Sequence, residues 1–545
     1  MNICKIFAFT LCLSASFLTH AQHITQSEAD ALLQGLPFSS FSVKVPSFPD
    51  NTFNIVDDGA VGDGVTKNTE AINSTIAKCA KSGGGKVVIP AGLWLTGPIT
   101  MQSNVNLFLA EGAIVIFSSN LADYPFEAKD KAVLPDLING SGLNNVAITG
   151  SGVFNGNGLD WRPVKKEKLN EKEWNKFVKS GGELSKDKKI WSPRIGFFAG
   201  DSLNAVRNGK FEAGDLEKIK PSLRPYMLSI RKSKNVLIEG ITLINAPKFA
   251  MYMNDIDGLI LHEVSALNEP WAQNGDGLDV SASKNVLIYK CFVNTGDDGI
   301  CMKSANSKDG EYRMENIVVR DCKVLRAHGG FVIGSNTDGN MRNIYVENCS
   351  FIGANIGLRF KSGNDRGGKV THIFCENIYM KDILTDAILF DVSYEDKAVS
   401  VASSMKKEQE KIPDFDGFYF KNIFVDNAKS ACRISAMDNS VVRNLTLKNS
   451  VMNTTEGFVA DCAEGIVIDN VNIINSDRAT YRLLKTSNFT LKNCDHIAGI
   501  ENVSFSLINA KTKNITIESA KIKRENINIA SNVNAEEVKI TTPSK

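Results

Sequence analysis

Lys284-Asn-Val-Leu-Ile-Tyr-Lys-Cys291, Met314-Glu-Asn-Ile-Val-Val-Arg-Asp-Cys322 and Met341-Arg-Asn-Ile-Tyr-Val-Glu-Asn-Cys349 are three copies of one pattern. An Asn opens an alternating apolar run, and a polar corner closes it before a Cys. The copies begin at Asn285, Asn316 and Asn343, steps of 31 and 27 residues. Alternation with period two over four to six residues reads as a strand. A repeat of 20–50 residues signals a solenoid or a propeller. The signature returns at Asn145, Asn235, Asn444, Asn488 and Asn514. A propeller blade takes four antiparallel strands in about 40 residues, whereas these units are shorter and hold two or three brief strands. Parallel coils stacked at about 4.8 Å fit, with like residues in register and the Asn side chains forming a ladder at each corner. The expected fold class is all-β, a single-stranded right-handed parallel β-helix.

The repeat overrides the length. At about 150 residues per domain, 545 residues would make three or four domains. One solenoid replaces them, with 51–545 as the β-helix and 22–50 as an N-terminal extension. Its cap is a helical pattern over 68–79, before Gly83-Gly84-Gly85. The Gly-rich loop at 57–64 lacks the Lys-Ser/Thr of a phosphate-binding loop and reads as a structural turn. Residues 160–222 break the repeat. They are rich in Lys and Glu, carry Trp161, Trp174 and Trp191, and look helical over 171–178. They read as an insertion on one face of the solenoid, where insertions often border the binding face; a solvated decoration is the alternative. A second Lys/Glu-rich stretch, 396–413, reads as a loop.

Residues 1–21 read as a secretory signal peptide. Lys5 precedes an apolar run over 6–18, which ends at Thr19-His20-Ala21. The run is too short to span a bilayer, and no other run of about 20 apolar residues follows, so no membrane span is expected. Export to the periplasm or beyond, with cleavage near Ala21, is the expectation. Nine cysteines remain after that cut, an odd number without a CxxC pair. Most read as small buried apolar residues. The 62 Lys+Arg balance 61 Asp+Glu, which argues against nucleic acid as a partner.

Polar residues gather in four successive repeats: Asn274-Gly-Asp276-Gly-Leu-Asp279, Asn294-Thr-Gly-Asp297-Asp298, Ala327-His328-Gly329 and Arg359-Phe-Lys361. Asp276, Asp298, His328 and Arg359 follow at steps of 22, 30 and 31 residues, each about one coil. They are expected to stack on one face, with His328 level with Asp298. Three carboxylates so close repel, and at least one should hold a proton near neutral pH. A structural ladder would use Asn instead. Carboxylates of split pKa are what acid/base work on a glycosidic bond requires. Asp279 reads as support behind them. Arg359 and Lys361 alternate by two and share one face of a strand. They neutralise the carboxylates or, more sharply, clamp a substrate carboxylate, for which Arg offers a bidentate fork. His328 reads as tuning the carboxylates or binding a hydroxyl.

These motifs resemble the polygalacturonases of glycoside hydrolase family 28, which have a pectin lyase-like fold. The family pattern is Asn-Thr-Asp, Gly/Gln-Asp-Asp, Gly-His-Gly and Arg-Ile-Lys. It is met here at Asn274-Gly275-Asp276, Gly296-Asp297-Asp298, Ala327-His328-Gly329 and Arg359-Phe360-Lys361. The resemblance implies catalytic Asp276, Asp297, Asp298 and His328: Asp297 as general acid, Asp276 and Asp298 activating water, and His328 assisting. It implies Arg359, Lys361, Tyr394 and Asn274 as substrate-binding. It further implies a pectic polysaccharide or oligogalacturonide as partner, inversion with carboxyls about 6.5–9.5 Å apart, no metal and no cofactor. A monomer is expected. Gly275, Ala327 and Phe360 depart from the pattern. Relatives that cut rhamnogalacturonan usually lack the Arg-x-Lys pair, so its presence favours galacturonate on both sides of the cut. The insertion and Arg224-Pro225 resemble exo-acting members. An endo-polygalacturonase or rhamnogalacturonan hydrolase is the alternative. A calcium-dependent pectate lyase and a non-catalytic carbohydrate-binding β-helix are the more distant rivals.

Overall fold

The structure is a computed structural model, and it describes residues 23–126, 132–203, 214–307, 310–394, 411–476, 479–494, 504–519 and 521–541. The expected signal peptide and most of the 396–413 loop lie outside these residues. The chain forms a parallel β-helix, with the right-handed crossover that L-amino-acid chains favour. Every strand pair of its main sheet is parallel and lies one coil apart. One inward ladder runs Ile99, Ile138, Leu228, Met251, Leu278, Ile300, Phe331, Leu358 and Ile388, then on through Cys432 and Phe458 to Ile527. All of these residues are buried. Alternation in the sequence thus becomes a continuous apolar column, and burial of that column drives coiling.

The corner Asn residues form the expected ladder. Asn343 Nδ2 donates to Asn316 Oδ1 at 3.1 Å, and Asn316 donates to Asn285 at 3.1 Å. Asn285, Asn316 and Asn343 have φ of 55°, 62° and 57°. Asn tolerates this left-handed backbone better than other non-Gly residues, which is a second reason for its recurrence.

The cap is the helix Thr69–Lys81, which turns Ile72, Ile76 and Cys79 into the core. The 57–64 loop is a structural turn, with Gly59 and Gly64 in the left-handed region and Asp63 Oδ1 accepting from Val65 and Thr66. The extension is a strap across the outside of the solenoid. Its helix Gln26–Leu32 and Val43 cover an outward apolar ladder of Ala147, Leu237, Ile260, Leu287 and Val318. Buried Glu239 pins it, accepting from Ile24 N at 2.7 Å and bonding to His262 and His23. All nine described cysteines are free and buried.

The insertion is folded. It holds the helix Glu171–Lys179, begun by a capping box at Asn170 and Glu173, and an antiparallel sheet of Val164–Lys165, Ile190–Ser192 and Glu183–Leu184. Val164, Trp174 and Trp191 make its own small core, on which Trp271 packs. Trp161 belongs instead to the main core, edge-on to Tyr124 at 5.0 Å.

Candidate active site

The inward strands Leu278–Ser281, Ile300–Lys303, Gly329–Ile333 and Ile356–Lys361 lie side by side. The catalytic candidates sit at or just before their starts, with Arg359 and Lys361 within the last. Register places Leu278 beside Ile300, so Asp276 lies one coil from Asp298, and Gly277 N donates to Asp298 O at 2.9 Å. His328 is one residue from its expected level. It stacks on Asp297, with His328 N bonding to Asp297 O at 2.9 Å and Nδ1 lying 3.1 Å from Asp297 Oδ1. Arg359 pairs in register with Val332 rather than His328. The corners between coils vary in length, so an equal step along the chain does not give an equal position on the face. Gly296 has a structural reason: a Cβ there would meet the carbonyls of Glu269 and Pro270 at 2.6 Å.

The carboxylates differ in their surroundings. Asp298 is 2% exposed, bonded to Lys361 Nζ at 2.7 Å and 3.4 Å from Arg359 Nη1. Burial alone would raise its pKa, but Lys361 and Arg359 override that and hold it at about 2. Burial also opposes ionisation of Asp297, yet the His328 hydrogen bond brings it below the ordinary range. Asp276 goes the other way. Burial first, then the neighbouring Asp279 charge, push it well above the ordinary range. Its Oδ1 is buried without a partner among the described residues. Asp279, fully buried and ion-paired to Lys303, is raised by burial to about 6. The proton affinities of the set are thus split, Asp276 raised chiefly by burial while Asp297 and Asp298 are lowered. Asp297, Asp298 and His328 each offer an atom within 4.8 Å of the others, because two adjacent residues both turn into the cleft. These three are also where an ion could sit, but Lys361 already occupies Asp298, and a cation there would displace an ammonium.

Arg359 and Lys361 flank buried Phe360, which stacks on Phe390 at 4.7 Å. Both cations lie over the Tyr394 ring, at 5.3 and 5.0 Å. They neutralise Asp298, and Arg359 Nε has no partner among the described residues. Asn274 accepts from Arg224 Nη2 at 2.8 Å, while Arg224 Nη1 donates to Gln273 O at 2.6 Å. Burial lowers Arg224 to about 10. Gly275 departs from the family pattern for lack of room: a Cβ would come within 2.6 Å of Ala272 Cβ.

Two cations were not visible in the sequence as site residues. Lys303 bridges Asp279 and Asp276, the latter at 3.3 Å. Its one signal is a charge ending the apolar run Ile300-Cys-Met. Lys168 of the insertion donates to Gly296 O at 3.2 Å, next to Asp297. The insertion grips the coils on the N-terminal side of the carboxylates. Arg162 is paired with Glu269 and bonds Asn245 Oδ1 at 2.8 Å, and Phe177 meets Trp271 edge-on at 6.1 Å.

The family model described as Glycosyl hydrolases family 28 matches residues 208–412, and one described as Rhamnogalacturonase A/epimerase, pectate lyase-like, matches 52–112. The chain is 27% identical over 392 residues to an exo-poly-alpha-D-galacturonosidase of Dickeya chrysanthemi, covering 69% of this chain and 62% of that one, less than two thirds of the relative's length. An endo-polygalacturonase of Pectobacterium carotovorum subsp. carotovorum is 27% identical over 65% of this chain and 78% of its own. Among solved structures, a hyperthermoactive exopolygalacturonase from Thermotoga maritima superposes with a TM-score of 0.64 at 26% identity, covering 79% of this chain and 93% of that one.

Proposed function

We infer that the chain is a member of glycoside hydrolase family 28, and on that premise propose that it hydrolyses α-galacturonosyl linkages of polygalacturonan and oligogalacturonides from a chain end, with inversion. The observation that carries this reading is the meeting of three carboxyl groups of unequal proton affinity with Arg359, Lys361 and Tyr394 in one cleft.

In this mechanism a substrate carboxylate takes Arg359 and Lys361, supported by Tyr394. Its negative charge raises the proton affinity of the whole set. A proton is then present on Asp297, the most exposed of the three acids, when the bond breaks. Asp297 donates it to the leaving oxygen, and His328 steadies its carboxyl through the 3.1 Å contact. Asp298, kept ionised by its cations, takes the proton of the attacking water, which Asp276 orients. Asp298, already bonded to two cations, is a better water-holder than nucleophile.

Exo action is supported by the insertion, whose Arg162 and Lys168 bond Glu269 and Gly296 O beside the carboxylates, and by the exo-acting relatives. No helix among the described residues is long and apolar enough to cross a membrane. Export rests on the sequence of residues 1–21 alone, and its place in this reading is as a secreted or periplasmic, cell-wall-directed hydrolase acting as a monomer.

The test is a time course of products from oligogalacturonide and from rhamnogalacturonan. Galacturonate monomer appearing first from oligogalacturonide alone is expected. A spread of oligomers would replace exo by endo action. An ultraviolet-absorbing unsaturated product lost on chelation would replace hydrolysis by elimination.

A further inference from the structure

Lys168 belongs to the insertion, yet it is not a solvated surface lysine. It ends the turn Lys166–Lys168, which is fixed on both sides. Lys166 N bonds to Lys189 O at 2.8 Å, and Leu169 packs on the small core of Val164, Trp174 and Trp191. The Lys168 ammonium is thereby held at the rim of the cleft, where it donates to Gly296 O at 3.2 Å. Among the described residues no carboxylate lies within ion-pair distance of it. An ammonium has three donors, so two remain for something that enters the cleft. Burial pulls its pKa down, while the charges of Asp297 and Asp276 oppose that; a desolvated, under-partnered cation is a site that a carboxylate would satisfy.

Its place in the fold sharpens this. Arg359 and Lys361 come from a strand two coils beyond Asp298 towards the C-terminus. Lys168 reaches Gly296 from the insertion, which grips the 268–275 loop on the N-terminal side. The cations therefore come to Asp297 and Asp298 from opposite directions along the axis, Lys168 from the N-terminal side and Arg359 and Lys361 from the C-terminal side. A polygalacturonate carries a carboxylate on every sugar, so a bond between two galacturonates presents one on each side.

We propose that Lys168 is a specificity-determining, substrate-binding residue that grips the carboxylate of the galacturonate on the side of the cut opposite to Arg359 and Lys361. This rests on the function proposed above. The competing role is that of a positioning residue, with Lys168 holding the Gly296 carbonyl and so the attitude of Asp297.

The experiment compares the wild type, Lys168→Met and Lys168→Arg on trigalacturonate and on an oligosaccharide with galacturonate on only one side of the cleaved bond. Lys168→Met is expected to lose about tenfold or more in kcat/KM on trigalacturonate, mainly through KM, with no loss on the one-sided substrate and substantial recovery in Lys168→Arg. Thermal melting checks that each variant is folded. Equal losses on both substrates, or a fall in kcat with a displaced acid limb of the pH profile, would overturn the assignment in favour of positioning. A wild type inactive on trigalacturonate would overturn the underlying function, and this assignment with it; that result is separate from an active wild type whose Lys168→Met variant matches it on both substrates.

Discussion

Lys361→Met removes a buried ammonium while keeping most of the apolar stem. Asp298 is left 2% exposed with Arg359 at 3.4 Å as its nearest cation. In the native protein burial raises Asp298 and the cations bring it back to about 2, against an ordinary 3.8. That gap corresponds to about 2–3 kcal/mol. Because the pKa is lowered on folding, this stability is present above pH 3.8 and is lost as pH falls through about 2. Removing one partner of a buried pair costs about 3–5 kcal/mol. We therefore expect Lys361→Met to be destabilised by about 3 kcal/mol at pH 7, and by much less near pH 3, where the orphaned carboxyl takes a proton. Urea denaturation followed by circular dichroism at pH 7, 5 and 3 measures this. The same loss at pH 7 and pH 3 would refute the reasoning, since Lys361 would then act through packing rather than charge.

Asp297→Asn should lower kcat by about a thousandfold or more with unchanged stability; near-normal turnover of oligogalacturonide would remove Asp297 from the acid role. Asp279 is raised from 3.8 to about 6, so its contribution is present below pH 3.8 and is lost as pH rises through about 6. Asp279→Asn should flatten the corresponding fall of about 3 kcal/mol in stability, read from urea midpoints between pH 4 and 7. Glu239→Gln weakens the pin formed by His23, His262 and Ile24 N. Limited proteolysis should then cut the 23–48 strap well before the β-helix, whereas in the wild type the strap should persist.

The coils were legible because each buries an alternating run and turns at an Asn, as at Asn285, Asn316 and Asn343. Their convergence on one cleft was legible from Asp276, Asp297 and Asp298 in successive repeats. The level of each residue on the face was not. His328 lies beside Asp297 and Arg359 beside Val332 because corner lengths differ, and spacing along a chain does not count the residues spent in a corner. The proton distribution was legible only as a need for one protonated acid. Which acid it is depends on the burial of Asp276 and on His328 bonding Asp297, both three-dimensional facts. Lys168 was lost among Lys165, Lys166 and Lys172 of a Lys-rich insertion, where composition cannot tell a half-buried ammonium from solvated ones. The strap's apolar residues, Ile24, Ala29, Leu33 and Val43, are too few and too irregularly spaced to show a face.

The stereochemistry of the first product tests the account most directly. Asp297 and Asp298 are chain neighbours that each offer an oxygen within 4.8 Å of the other, and whether Asp298 holds a water or attacks the sugar decides between inversion and retention. The account assigns Asp298 to water, because Lys361 and Arg359 occupy its oxygens. Proton NMR of the anomeric signals in the first minutes of trigalacturonate hydrolysis separates the two. The account predicts the β-anomer of the newly formed reducing end first, with the α-anomer growing in by mutarotation. The α-anomer appearing first would contradict it and make Asp298 a nucleophile.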